Sequence, residues 1–255
     1  MKLQRQLIKG LGWRRDHPDH RDHKFGLAKS SVSLPPSVNL RGGFGPIYDQ
    51  LALGSCTANA IAAALQFERR KQGLSDFIPA RLWIYFWERM MEGTVDSDSG
   101  AEIRDGLQVV ANYGTPPETD WPYDISTFKN DPPAACYMDS LKDRVLQYQR
   151  LDNTDPNQLK TCLANGNPFV FGISVFQSFM DSSNGDIPLP SGFDRPLGGH
   201  ALCAAGYEDT DYVNFRNSWG PRWGDQGYGR IPMSYLTNPE LSADFWTIQL
   251  ISKGE

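Results

Sequence analysis

Hydrophobic positions along the chain change period part-way, and the change separates a helical half from a strand-rich half. After Cys56, apolar positions Ile61, Ala64 and Leu65 recur at helical spacing until Gly73 ends the run. Residues 78–91 are apolar nearly all round, which predicts a buried helix with Pro79 in its first turn. A third helix is predicted over 101–113, stopped by Gly114 and by the Pro116–Pro117 pair. A short helix follows Asp155, with Pro156 in its first turn and Gly166 past its end. From there the pattern turns to strands at 169–176, 200–207, 212–217, 227–232 and 245–251, separated by Gly, Asp and Pro. Helices followed by strands predict an α+β architecture.

Composition narrows the function classes. The chain has 255 residues, 40% of them hydrophobic, enough to bury a sizeable core in one large domain or two lobes. Net charge is −5 and no basic block occurs, which argues against nucleic acid as a partner. No apolar stretch approaches membrane-spanning length, and the first ten residues lack the apolar centre of a secretory signal. The expectation is a monomer that stays inside the cell or leaves by another route. Four cysteines are too few for a disulfide scaffold.

Cys56 carries the strongest chemical signal. It sits where a loop of small residues becomes a helix, so its thiol faces unpaired N–H groups and the positive end of the helix dipole, and both favour the thiolate nucleophile. Such a nucleophile needs a base. His17, His20 and His23 crowd near the start of the chain, whereas His200 follows two glycines and opens an apolar run. Downstream, the Asn217 amide oxygen is suited to fix the imidazole tautomer and the Trp219 indole to shield that bond. Gln50, six positions before Cys56, supplies with the Cys56 N–H a pair of donors for an oxyanion. The bland alternatives are a buried structural thiol and a core histidine. The ordered set Gln50, Cys56, His200, Asn217 outweighs them.

These residues, in the runs Gly54-Ser55-Cys56, Gly199-His200-Ala201 and Asn217-Ser218-Trp219-Gly220, resemble the papain-like cysteine peptidases. Ser99-Gly100-Ala101, Trp121-Pro122-Tyr123 and Trp223-Gly224-Asp225 extend the likeness, which covers roughly residues 34 to 250. The resemblance implies two lobes, a helical one at about 37–125 and an antiparallel, barrel-like one at about 126–255, with the active site in the cleft between them. It implies a cysteine endopeptidase with Cys56 as nucleophile, His200 as base, Asn217 as orienter and Gln50 at the oxyanion, acting through a thioester on protein or peptide substrates. Gly100 and Ala101 are expected to pair with substrate backbone. Ile103, Gly172, Gly199 and Ala201 are expected to line the pocket, with Glu102 nearby and Trp219 beside the base. No cofactor or metal is called for. The alternatives are another Cys–His–Asn amidase or acyltransferase, and a non-catalytic peptide-binding protein on the same fold.

Three departures from the family pattern stand out. Leu53 and Asp98 replace the two ends of a common disulfide, and Thr57 replaces the aromatic residue after the nucleophile. Cys203 is expected to be a reduced core thiol, while Cys136 and Cys162 are left as an open pair. Residues 1–36 resemble the short N-terminal extension of bacterial members. Its aspartates and histidines read as a solvated charged arm in preference to a metal site. The extension is expected either to run through the cleft as an inhibitory prosegment, anchored by Trp13 or Phe25, or to pack permanently on the surface.

Overall fold

The computed structural model describes residues 10–26 and 34–252. In chain order the elements are β1 (Trp13–Arg14), β2 (Val38–Asn39), α1 (Cys56–Lys71), α2 (Arg81–Met91), β3 (Ala101–Glu102), α3 (Ile103–Asn112) and α4 (Ala134–Asp139). The second half contains β4 (Val145–Leu151), α5 (Pro156–Ala164), β5 (Phe169–Phe176), α6 (Gln177–Asp181), β6 (Pro196–Tyr207), β7 (Tyr212–Arg216), β8 (Tyr228–Pro232), α7 (Met233–Leu236) and β9 (Ser242–Ile251). A seven-stranded antiparallel sheet runs β4-β9-β5-β6-β7-β8, with β2 added to β6.

Helix α1 is buried on nearly every face, from Cys56 through Arg69. The alanines at 58, 60, 62, 63 and 64 let it lie close to α2 and α3 on one side and to β6 and β9 on the other. The strands explain why their sequences read as continuous apolar runs. Along β5, Val170 joins the core shared with the helices, while Phe169, Phe171, Ile173 and Val175 enter a second core inside the curled sheet. On β6, Ala201, Cys203 and Ala205 face the helices and Leu202 and Ala204 face the other way. Side chains alternate across a strand, so a strand covered on both faces keeps no polar period.

The predicted helices form with shifted ends. Residues 78–80 stay extended, because Pro79 bridges to Pro117 and the Ala80 N–H donates to the Pro116 carbonyl. Ala101 and Glu102 pair as strand, and α3 starts at Ile103. Asp155 caps α5 by accepting from the N–H groups of Asn157 and Gln158. Strand β4 has a polar middle with no two-period, and pairing with β9, joined by the arm at Arg150, defines it. The expected division near residue 125 is crossed in both directions. β2 joins the sheet, and Cys136 of α4 sits in the core shared with the helices. Cys136, Cys162 and Cys203 are all free and buried, so the open pair is not a disulfide.

Asp98 takes over where the family's disulfide is missing. Its carboxylate accepts from the Gly54 N–H at 3.0 and 3.1 Å and from the Tyr85 hydroxyl at 2.5 Å. It thereby ties the loop before Cys56 to the one before Gly100. Asp98→Ala is expected to cost about 2–3 kcal/mol, within the range for a hydrogen bond to a charged group, seen as a lower urea midpoint at unchanged slope.

Candidate active site

Cys56 is the first residue of α1, and the Ser55 side chain does not cap the helix. The Ser55 hydroxyl instead lies 2.6 Å from that of Tyr123, which leaves the first N–H groups of α1 turned to the thiol. Backbone of Ala201, Gly12 and Thr57 hydrogen-bonds the sulfur. His200 lies on β6 immediately before Ala201, whose backbone lies beside the sulfur. Its Nε2 lies 2.9 Å from Asn217 Oδ1, and its Nδ1 is buried without a partner. Trp219 stacks on the ring at 4.8 Å between centroids, and Phe179 meets it edge-on. Asn217 Oδ1 also accepts from the Ser218 N–H, which fixes the amide so that its oxygen faces the imidazole.

Gln50 is held as firmly. Its Oε1 accepts from the Ser218 hydroxyl at 2.6 Å, and its N–H donates to the Ser218 carbonyl. The side-chain Nε2 therefore points away from Ser218, donating to the Leu53 carbonyl and to the Gly10 carbonyl, each at 2.9 Å.

The arm, residues 10–26, occupies the cleft. β1 pairs in parallel with β3, and the Ala101 N–H donates to the Gly12 carbonyl at 2.8 Å. The approach is close enough to require glycine on both sides. A Cβ on Gly100, which has φ +69°, would stand 2.0 Å from the Gly12 oxygen, and one on Gly12 would stand 1.8 Å from the Gly54 oxygen. The Trp13 indole lies flat over Gly172, and its carbonyl lies over Gly199. Ile103 and Ala201 share the core with that indole. The indole Nε1 donates to Asp244 Oδ2 at 3.2 Å. Sequence reasoning missed Asp244, because nothing in the polar start of β9 marks it as a pocket residue.

Glu102 and Thr57 each turn to a polar partner. Glu102 does not face the pocket interior. Its carboxylate accepts from the His17 N–H and lies 2.5 Å from His17 Nδ1, on the arm's outer side. Thr57 does not form cleft wall. It is fully buried and donates to Glu88 Oε2 at 2.9 Å, inside the helical half.

Electrostatics follow from the covering. Cys56 and His200 are both fully buried. Burial pushes the thiol up to about 11, against the backbone hydrogen bonds that favour the thiolate. Burial also lowers the imidazole to about 4, against the bond to Asn217. Under the arm, the pair is a neutral thiol and a neutral imidazole.

Fold and site together define a papain-like cysteine peptidase, and comparison with known proteins agrees. The model of the papain family cysteine proteases matches residues 34–241, and the chain belongs to that family. It is 42% identical to xylellain, a cysteine protease from Xylella fastidiosa, and superposes on it with a TM-score of 0.90 over 98% of this chain and 99% of that one. It is 40% identical over 216 residues to an uncharacterised peptidase C1-like protein of Acanthamoeba polyphaga mimivirus, covering 80% of this chain and 70% of the viral one. Chymopapain of Carica papaya is 28% identical over 230 residues, and the chain spans 59% of its length.

At pH 8 the intact chain is expected to alkylate at Cys56 with iodoacetamide more slowly than an unperturbed cysteine does. A thiol near 11 is about 0.1% ionised at that pH, against about a quarter for one near 8.5. Peptide mass spectrometry of timed samples measures the rate.

Proposed function

We infer that this peptidase is an endopeptidase acting through Cys56, His200, Asn217 and Gln50, and that residues 10–26 hold it latent. The carrying observation is that the arm occupies the nucleophile and the oxyanion donor at once. Gly12 backbone lies beside the Cys56 sulfur, and Gly10 offers its carbonyl to Gln50 Nε2. The two contacts come from different peptide units, so thiol and oxyanion donor do not act on one carbonyl. That arrangement suits an inhibitor better than a substrate.

With the arm displaced, solvent reaches the pair and the burial that keeps both groups neutral is relieved. The Cys56 proton then passes to His200 Nδ1, while Asn217 keeps Nε2 engaged. The thiolate attacks the substrate carbonyl carbon. Gln50 Nε2 and the Cys56 N–H stabilise the resulting oxyanion, at about 3 kcal/mol per donor. His200 returns the proton to the departing amine, leaving a thioester. Water, deprotonated by His200, then hydrolyses the thioester and frees the acid and the thiol. Substrate backbone takes the place of Gly12 on the Ala101 N–H, beside Gly100, as an added strand.

Trp13 marks the pocket a substrate side chain would fill. Its floor is Gly172 and its polar end is Asp244. A long side chain with a terminal donor, such as Trp or Arg, fits it best, because it satisfies a carboxylate that an aliphatic side chain would leave unpaired.

Three outcomes are expected in a fluorogenic peptide assay. Cys56→Ala abolishes turnover. Gln50→Ala lowers kcat by about 10²-fold with little change in KM. Trp13→Ala in the full chain, and removal of residues 1–33, each raise the initial rate, and both products prefer Trp or Arg over Leu at the pocket position. Equal activity with and without the arm would remove the inhibitory reading and leave the peptidase reading intact.

A further inference from the structure

Beyond the cleft, the arm is fastened by five charged side chains from four elements. Asp16 and Asp22 come from the arm, Arg104 from α3, Arg150 from β4 and Asp244 from β9. The Asp22 carboxylate is gripped by Arg104 at 2.7 and 2.9 Å and by Arg150 at 2.9 Å. Asp244 Oδ1 accepts from Arg150 at 2.8 Å, and its Oδ2 accepts the Asp16 N–H at 2.8 Å and the Trp13 indole. Asp16 is the poorly compensated member. Its Oδ1 accepts the Arg104 N–H and its Oδ2 the Trp246 indole at 2.9 Å, but its guanidinium contacts are long, 3.5 Å to Arg150 and 4.0 Å to Arg104. The side chains of Asp16 and Asp244 are 0% and 2% exposed. Three carboxylates face two guanidiniums, so the closed cluster holds one uncompensated negative charge in a buried place.

We propose that this cluster makes the arm a proton-operated latch, tightest in acid and loosening as pH rises to neutrality. The biological consequence rests on the inhibitory reading above, whereas the latch itself concerns only how the arm is held. Burial, with Asp244 close by, raises the Asp16 carboxyl from 3.8 to about 7 in the closed state, and burial raises Asp244 as well. On opening, Asp16 returns to water and to its ordinary range. Between about pH 4 and pH 7 the closed state therefore holds a proton that the open state has released. Lowering pH through that window favours closure, and the advantage is lost as pH rises through about 7, by at most tenfold per unit for one proton.

Other titratable groups near the latch do not set this window. Asp19 and Arg21 pair with each other on the arm and travel with it. Asp105 of α3 is half-buried and belongs to the body of the enzyme. His23 is exposed. His17 of the arm lies beside Glu102, outside the cluster, and serves as the control.

The test reads opening directly, without turnover. In the full-length chain carrying Cys56→Ala, deuterium exchange at the Ala101 amide is followed from pH 5 to 8 and corrected for the intrinsic pH dependence of exchange. Protection is expected to fall up to tenfold per unit between pH 5 and 7 and to level off above. Asp16→Asn should flatten the dependence, and His17→Gln should keep it. Constant protection, protection that rises with pH, or a slope that survives Asp16→Asn would overturn the latch. If Asp16→Asn leaves the arm open at every pH, Asp244→Asn decides. It removes the neighbouring charge and should move the transition to lower pH, and an unmoved midpoint would overturn the proposal. Loss of the inhibitory reading would show separately, as a truncated chain no more active than the full one.

Discussion

Everything at this site hangs on the contact between α1 and β6. The helix is buried from Cys56 through Arg69, so it has no freedom to shift or rotate, and its first residue is delivered against the strand that carries His200 and Ala201. A cysteine at a helix start and a histidine on a strand far away in sequence are carried on two elements whose small side chains let the backbones approach. Alanines on α1 and Ala201, Cys203 and Ala205 on β6 provide that approach. The loop holding Asn217, Ser218 and Trp219 then locks the imidazole from one side and Gln50 from the other, so both side chains are oriented by neighbouring residues of one turn.

The same close approach explains how the arm fits. A cleft floored by Gly54, Gly100, Gly172 and Gly199 admits a polypeptide backbone at contact distance, and the arm meets it with Gly10, Gly12 and the flat face of Trp13. Covering the site has an electrical effect as well as a steric one. Removing solvent from both partners reverses the ionisation that a helix start and an oriented imidazole would otherwise favour, leaving thiol and imidazole neutral. In the proposed latent state, covering therefore adds to the steric block.

Asp98 and Leu53 stand where the resemblance places a disulfide, and hydrogen bonds to Asp98 hold the neighbouring loops together. The carboxylate holds Gly54 and, through Tyr85, whose hydroxyl accepts the Gly100 N–H, the loop that pairs with the arm. Geometry at the two glycines is kept without any dependence on an oxidising environment. Thr57 follows a related course. Where an aromatic residue would lie in the cleft, a small hydroxyl turns inward to a buried carboxyl group, Glu88, and the cleft wall is left to the arm and to Ala201.

Sequence by itself determined the helix beginning at Cys56 and the strands on either side of His200, and it singled out Cys56, His200, Asn217 and Gln50 as the residues of the proposed site. Each is written in local pattern or in a run of adjacent residues, and short-range periodicity and capping are local physics. It also marked Trp13 and Phe25 as apolar residues in a polar arm, and both are buried. Tertiary structure alone decided the extended turn at 78–80, strand β4, the inward turn of Thr57 and the outward turn of Glu102. It alone brought Asp244 to the Trp13 indole and gathered Asp16, Asp22, Arg104, Arg150 and Asp244 into one cluster. Those facts depend on which side chains meet across separations that run from 31 residues, for Thr57 and Glu88, to 231, for Trp13 and Asp244. Burial and charge compensation at such meetings are set by the packed surroundings, and no stretch of sequence carries them.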